Sequence, residues 1–446
     1  MKNEAKEIID DENNLNHNYF KKAFFSRLKL NILIIILSIA AFILEFFYRE
    51  PLFNYSLYFE KNWQSKATEA TISTFKILTK YGGEYLMAVP VLIVFCFFTL
   101  IKSYVYITFF IFCLQFHSIM KVWYGNKRPF WERQSLYKGL CDGGFGNPSG
   151  HSISTAFLYL TLFMYIKETK RLNKKYLILL VILLLCFFWI LMILLSRIIL
   201  GMHSINQVIY GSTLGVIISL FVFIVFKIHR MPVSVYKKFF REKKYIYISL
   251  IVYFVFIVMT YLTYFLSNKG FDYVKYNDIL DNLCEKKVPK YRRFNEEGLF
   301  GSSTILAMLG MYLGQILFWY LIENKYRVNE DNPDNVEIKN GNDDNSNIEL
   351  DDSIDDLINH WNINRVFLCH NFKTVLKIIL VFIISILPGI LFIAIPNNSN
   401  LILIFSVKIG IPYFLIPFLL YGFGFYYLIK LSCGPQDILL KRLEQN

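Results

Sequence analysis

Long apolar runs with few charges recur along this chain, separated by short polar stretches. A run of about 18 or more such residues has the length of a membrane-crossing helix. The pattern predicts ten helical spans, at roughly residues 29–48, 85–101, 104–120, 152–167, 176–195, 205–227, 245–266, 301–322, 373–395 and 402–429. The second and third form a tight hairpin turning at Lys102-Ser103. Residues 64–82 are amphipathic instead, as in a helix that lies on a membrane surface or acts as a lid. Pro388 and Pro396 near the end of the ninth span, and Pro412 and Pro417 in the tenth, predict kinks. The fold class that follows is all-α, a polytopic membrane helix bundle of about ten transmembrane helices.

The polar stretches set the organisation and the orientation. Residues 1–28 are polar and charged, so they form no secretory signal peptide, and the first span serves as a signal anchor. Lys and Arg concentrate before the first span, in the loop 167–175 and over residues 227–244. With ten spans these three segments share one face, and the positive-inside rule makes that face cytosolic. Beyond a membrane core at 29–228, residues 229–322 add further helices with an outer loop at 267–300. An acidic, Asn-rich cytosolic loop occupies 323–372, and its stretch 328–358 has the composition of a disordered linker. A C-terminal hairpin and tail complete the chain at 373–446.

Composition agrees and removes other classes. Of the 446 residues, 55% are hydrophobic, a fraction that overrules a set of soluble domains. The net charge of +13 is loop charge that sets topology, not a nucleic-acid surface. The seven Cys lack CxxC or Cys/His spacing, which argues against a zinc site. The topology puts Cys141 and Cys284 in non-cytosolic loops, where a disulfide is permitted, and leaves open whether they are joined.

Three polar strings interrupt the apolar pattern on the face opposite the basic loops: Lys121-x6-Arg128-Pro129, Pro148-Ser149-Gly150-His151 and Ser196-Arg197-x5-His203. Asn147 and Pro148 read as N-cap and first residue of a helix, whose free N–H groups and dipole favour an anion. Gly150 lets a phosphate approach the backbone, and His151 beside it titrates in the range for proton transfer. Arg197 ends a long apolar span and must snorkel or meet an anion. Gln207 follows His203 at i+4, where its carbonyl can take one ring proton and leave the other nitrogen free to attack phosphorus. Lys121 and Arg128 fit one face of a helix that Pro129 breaks. Three cations and a helix start match a phosphate dianion, and two histidines match a nucleophile and an acid.

At these residues the chain resembles the type 2 phosphatidic acid phosphatase superfamily, over about 85–228. Arg128-Pro129-Phe130-Trp131, the stretch from Cys141 to His151 and Gln207 are similar to glucose-6-phosphatase. Ser196-Arg197-Ile198-Ile199-Leu200-Gly201-Met202-His203-Ser204 is similar to the sphingosine-1-phosphate phosphatases. The resemblance implies a six-helix phosphatase core and a metal-independent phosphomonoesterase without cofactor. It makes His203 the nucleophile of a phosphohistidine and His151 the acid, with Lys121, Arg128, Arg197, Ser149 and the Gly150 amide binding phosphate. Gln207 departs from the Asp of many lipid phosphatases, leaving the nucleophile without a carboxylate partner. The expected partner is a phosphorylated lipid, a sphingoid-base phosphate or phosphatidic acid, met at the lumenal face of the endoplasmic reticulum or another endomembrane. A sugar phosphate is the alternative substrate. A transporter or channel on the same fold is the second alternative, which Glu45 inside the first span would suit.

Overall fold

The computed structural model describes residues 28–85, 87–168, 175–224, 233–266, 270–284, 288, 293–330, 384 and 411–424. In chain order its helices are α1 (Leu28–Lys66), α2 (Glu69–Ile77), α3 (Ala88–Phe97), α4 (Leu100–Tyr124), α5 (Pro129–Glu132), α6 (Gly150–Lys167) and α7 (Tyr176–Ile199). They continue with α8 (Ile205–Ile224), α9 (Val233–Arg241), α10 (Lys243–Leu266), α11 (Tyr273–Leu283), α12 (Phe294–Ser302), α13 (Thr304–Glu330) and α14 (Ile411–Leu419). Among the described residues there is no strand, only an isolated bridge between Gly143 and Arg293. Among the described residues, six segments are long and apolar enough to cross a membrane: 32–66, 101–132, 176–199, 205–224, 243–266 and 294–322. The chain is an all-α integral membrane bundle.

Among the expected spans, the fourth forms α6 but is not one of these six segments, and the first and second differ in extent. The first does not stop at residue 48: α1 runs on through Pro51 to Lys66, 39 residues in all. The second is only the 10-residue α3, about 15 Å long, half of a hydrocarbon core. The chain turns at Phe98-Thr99, not at Lys102-Ser103: Phe98 is extended, and the Thr99 hydroxyl caps α4 by accepting the Lys102 amide at 3.3 Å. Lys102 belongs to the helix and lays its ammonium over Phe98 and Tyr165. The amphipathic stretch becomes α2 and a π-helical turn, Leu78–Tyr85, that rests against α7. The described end of the tenth span keeps Pro417 inside α14, followed by a π-helical turn at Leu420–Gly424. The ninth span and the Asn-rich loop from residue 331 lie outside the described residues, residue 384 excepted.

α6 is the enclosed centre of the bundle. Ser152, Ser154, Thr155 and Thr161 lower its hydropathy, yet all four are buried because neighbouring helices shield them. α8 packs along it through glycine. A Cβ on Gly211 would fall 2.6 Å from the Ser149 carbonyl oxygen, and one on Gly215 would collide with the Ile153 carbonyl and Ala156. Tyr106 of α4 donates to the Leu158 carbonyl at 2.7 Å from the other side. α4 and α7 run toward one end of the bundle and α6 and α8 start there, so the three polar strings share that end. Lys167 at the end of α6, Lys175 before α7 and the basic α9 lie toward the other, where Lys102 meets Tyr165. Of the basic loops themselves, residues 1–27, 169–174 and 225–232 lie outside the described residues.

The glycine contact yields a prediction. Gly211→Val forces α8 away from the start of α6, and overpacking of this kind costs about 1–3 kcal/mol. Thermal unfolding in detergent should show a lower midpoint, whereas an unchanged midpoint would mean that this contact is not tight.

Candidate active site

The local turns decide where each side chain points. α4 ends at Tyr124, and Gly125 closes it in the left-handed conformation (φ 59°), donating to the Lys121 carbonyl at 3.0 Å. Lys121 and Arg128 therefore do not share one helix, contrary to the spacing argument. Arg128 sits past the turn as the extended residue before α5, with Pro129 at the first helical position. The expected cap of α6 is also displaced: Ser149 is its N-cap, and Asn147 and Pro148, joined by a cis peptide bond, precede it. The Asn147 amide is turned elsewhere, donating to Glu45 at 2.7 Å and to Asn126 at 3.1 Å. α7 carries Arg197 to its end, and Gly201 (φ 69°) makes the turn that delivers His203 ahead of α8.

His203 is 1% exposed. Its Nδ1 lies 2.8 Å from the Gly146 carbonyl and 3.2 Å from Gln207 Oε1, both acceptors, so Nδ1 carries the ring proton. Nε2 keeps its lone pair and accepts from Arg128 Nη1 at 3.1 Å. Gln207 is fixed in turn, since its Nε2 donates to the Lys127 carbonyl at 2.8 Å and its Oε1 also accepts the Ser204 amide. A carbonyl and an amide thus do the orienting that a carboxylate does elsewhere. Burial, and then the charges of Arg128, Arg197 and Lys121, hold the His203 pKa well below the usual imidazole value. The ring is neutral at physiological pH, the form that has a free electron pair.

All three cations reach the site. Arg128, with no exposed surface, donates Nε to Gly144 O at 2.6 Å, Nη1 to Met202 O at 3.0 Å and Nη2 to Phe145 O at 3.4 Å. Arg197 and Lys121 are 4% and 9% exposed, and Arg197 Nη1 donates to Thr79 at 2.9 Å. Arg197, Lys121 and Arg128 lie within charge range of His151 as well as His203. The Ser149 hydroxyl is buried without a hydrogen-bond partner, and Gly150 starts the 18-residue α6. The free amides of such a helix start suit an anion. His203, His151, Lys121, Arg128, Arg197, Ser149, Gly150 and Gln207 thus form one constellation.

Three features complete the site: Asp142, which the sequence reading did not single out, Glu45 in a role it did not foresee, and a wall that it raised through a Cys141–Cys284 bond. Asp142 binds Arg128 Nη2 at 2.7 Å and accepts the Gly144 amide at 3.0 Å. Burial opposes its ionisation, but Arg128 and Lys121 outweigh that and hold its pKa below the usual carboxylate range. Glu45 is a bracket: paired with Arg49 at 2.6 Å, it holds the Asn147 amide beside the site loop. The third is a wall from far along the chain. Cys284 is disulfide-bonded to Cys141, the Phe294 amide donates to Gly143 O at 2.7 Å, and Glu297 packs on Gly144. Trp131, Phe145, Phe271 and Phe294 form an aromatic cluster behind it. A paired-Cys possibility was the only sequence signal for this wall.

Residues 100–231 match the PAP2 superfamily, a stretch that opens with α4 and closes just past α8. No curated protein and no solved structure matches the chain. The matched stretch holds every residue of the constellation and leaves out α1 and the wall built from residues 271–297. The two histidines and three cations converge within the stretch that matches the PAP2 superfamily, residues 100–231.

Proposed function

We propose that the protein is an integral-membrane phosphomonoesterase that works through a phosphohistidine, without a metal or other cofactor, on a lipid phosphate. The observation that carries this reading is the state of His203: a buried, neutral imidazole whose proton is fixed on Nδ1 and whose Nε2 lone pair opens among three cations. In the reaction Nε2 attacks phosphorus while the ester P–O bond breaks. Lys121, Arg128, Arg197, the Ser149 hydroxyl and the Gly150 amide take the charge on the equatorial oxygens. The dianion favours a protonated His151, which gives its proton to the departing alcohol. His151 then takes a proton from the water that cleaves the phosphohistidine, releasing inorganic phosphate.

The lipid reading rests on six apolar spans around a site at one end of the bundle. The basic segments flanking the other end support a lumenal site in an endomembrane such as the endoplasmic reticulum. Glu45, one of the features that suited a transport role, is paired with Arg49 and holds Asn147.

Phosphate release by purified protein from a panel of lipid and sugar phosphates should be fastest with the lipids. No release from any of them would refute the enzyme reading. His203→Ala should lower turnover at least about 1,000-fold and remove covalent labelling by phosphate, because the nucleophile is lost. His151→Ala should slow turnover about 100- to 10,000-fold yet still label with a substrate whose leaving group needs no proton. Chelators should leave activity intact, and vanadate should inhibit through its trigonal bipyramid. Activity lost to a chelator and restored by a divalent ion would contradict the mechanism.

A further inference from the structure

Arg128 has its donors met by three backbone carbonyls and His203, but carbonyls orient a guanidinium without neutralising it. Among the described residues its anionic hydrogen-bond partner is Asp142, on Nη2, with Nη1 left to face His203 Nε2. The contacts close a ring. Asp142 Oδ1 accepts the Gly144 amide, the Gly144 carbonyl accepts Arg128 Nε, and Arg128 Nη2 returns to Asp142 Oδ2. A planar guanidinium gripped at Nε and Nη2 has little rotation left, so this ring sets the direction of Nη1 together with the Met202 carbonyl that Nη1 meets.

The ring is anchored from outside the PAP2 segment. Cys141 is bonded to Cys284, and Gly143 accepts the Phe294 amide and bridges to Arg293. Arg293 is pinned by Asp281 at 2.6 Å and Asn277 at 2.7 Å. Glu297 packs on Gly144, where an added Cβ would fall 2.6 Å from its Cγ. The loop 141–144 is thus held between the site and residues 277–297.

We propose that Asp142 is a positioning residue: held by a loop that Cys284, Arg293, Phe294 and Glu297 clamp, it orients Arg128 so that Nη1 lies against the His203 nucleophile. This deepens the phosphohistidine reading and rests on it. Asp142→Asn keeps the size of the side chain and its bond to Gly144 while removing the charge, so Arg128 swings off His203. The extra positive charge left in the site should hold a phosphate no less tightly.

The test is kinetics on folded, monodisperse protein, with KM and kcat separated. For Asp142→Asn, kcat should fall at least tenfold while KM and the inhibition constant of inorganic phosphate do not rise. Asp142→Glu, which restores the charge, should recover part of kcat. In an Arg128→Lys background, whose side chain cannot close the ring, adding Asp142→Asn should change kcat less than twofold. A kcat within twofold of wild type for Asp142→Asn, or effects that multiply with Arg128→Lys, would overturn the proposal. A second readout does not need turnover. In histidine-15N-labelled protein the Nε2 resonance of His203 should move in Asp142→Asn, and an unmoved resonance would overturn the proposal. If the wild type releases no phosphate from any ester, the phosphatase reading fails alone, and the resonance still decides the role of Asp142.

Discussion

A guanidinium shut away from water must find a counter-charge and acceptors for its donors, and the architecture around Arg128 meets that demand. The carbonyls of Gly144, Phe145 and Met202 and the carboxylate of Asp142 come from two separate loops. Those loops can meet only if α6 and α7 are held at fixed height. Removing the partner of a fully buried charge costs about 3–5 kcal/mol, and less here, where the Asp142 side chain keeps 30% of its surface exposed. His203 inherits its environment from the same arrangement, because the group that lies against Nε2 is Arg128 itself.

The height is set by backbone contact. α6 carries His151 and α8 follows His203, so the spacing of the two histidines depends on how closely these helices approach. Gly211 and Gly215 bring α8 against the carbonyls of Ser149 and Ile153. The Ser149 amide donates to the Gln207 carbonyl at 3.0 Å, tying the start of one helix to the first turn of the other. Gln207 therefore serves twice, through its backbone for α6 and through its side chain for His203.

What the sequence made legible was whatever depends on near neighbours. Hydropathy located α4, α7, α8 and α10, because a long apolar run has few other uses. The three strings revealed the site because each lies within a few residues of a helix end. The helix boundaries misled where a side chain had a better partner at a distance. Asn147 looks like a cap, but Glu45, 102 residues away in sequence, holds its amide. Lys102 looks like a turn, but its ammonium lies over the rings of Phe98 and Tyr165. Asp142 stands in a Gly-rich stretch that marks only a turn, and the wall against it comes from a segment with no motif. Cys141 and Cys284, 143 residues apart, had no visible geometry until the fold brought them together.

The length of α1 also has a consequence for depth. Its 39 residues span about 58 Å, nearly twice the thickness of a hydrocarbon core. Ser56 and Gln64, near its far end, bond to the Ile205 amide and the Ile199 carbonyl, so the helix passes alongside the site. Glu45, which holds Asn147, lies 17 residues beyond Leu28, about 26 Å along the axis. α1 is thus longer than one crossing of a hydrocarbon core requires, and its surplus length is what runs beside the site.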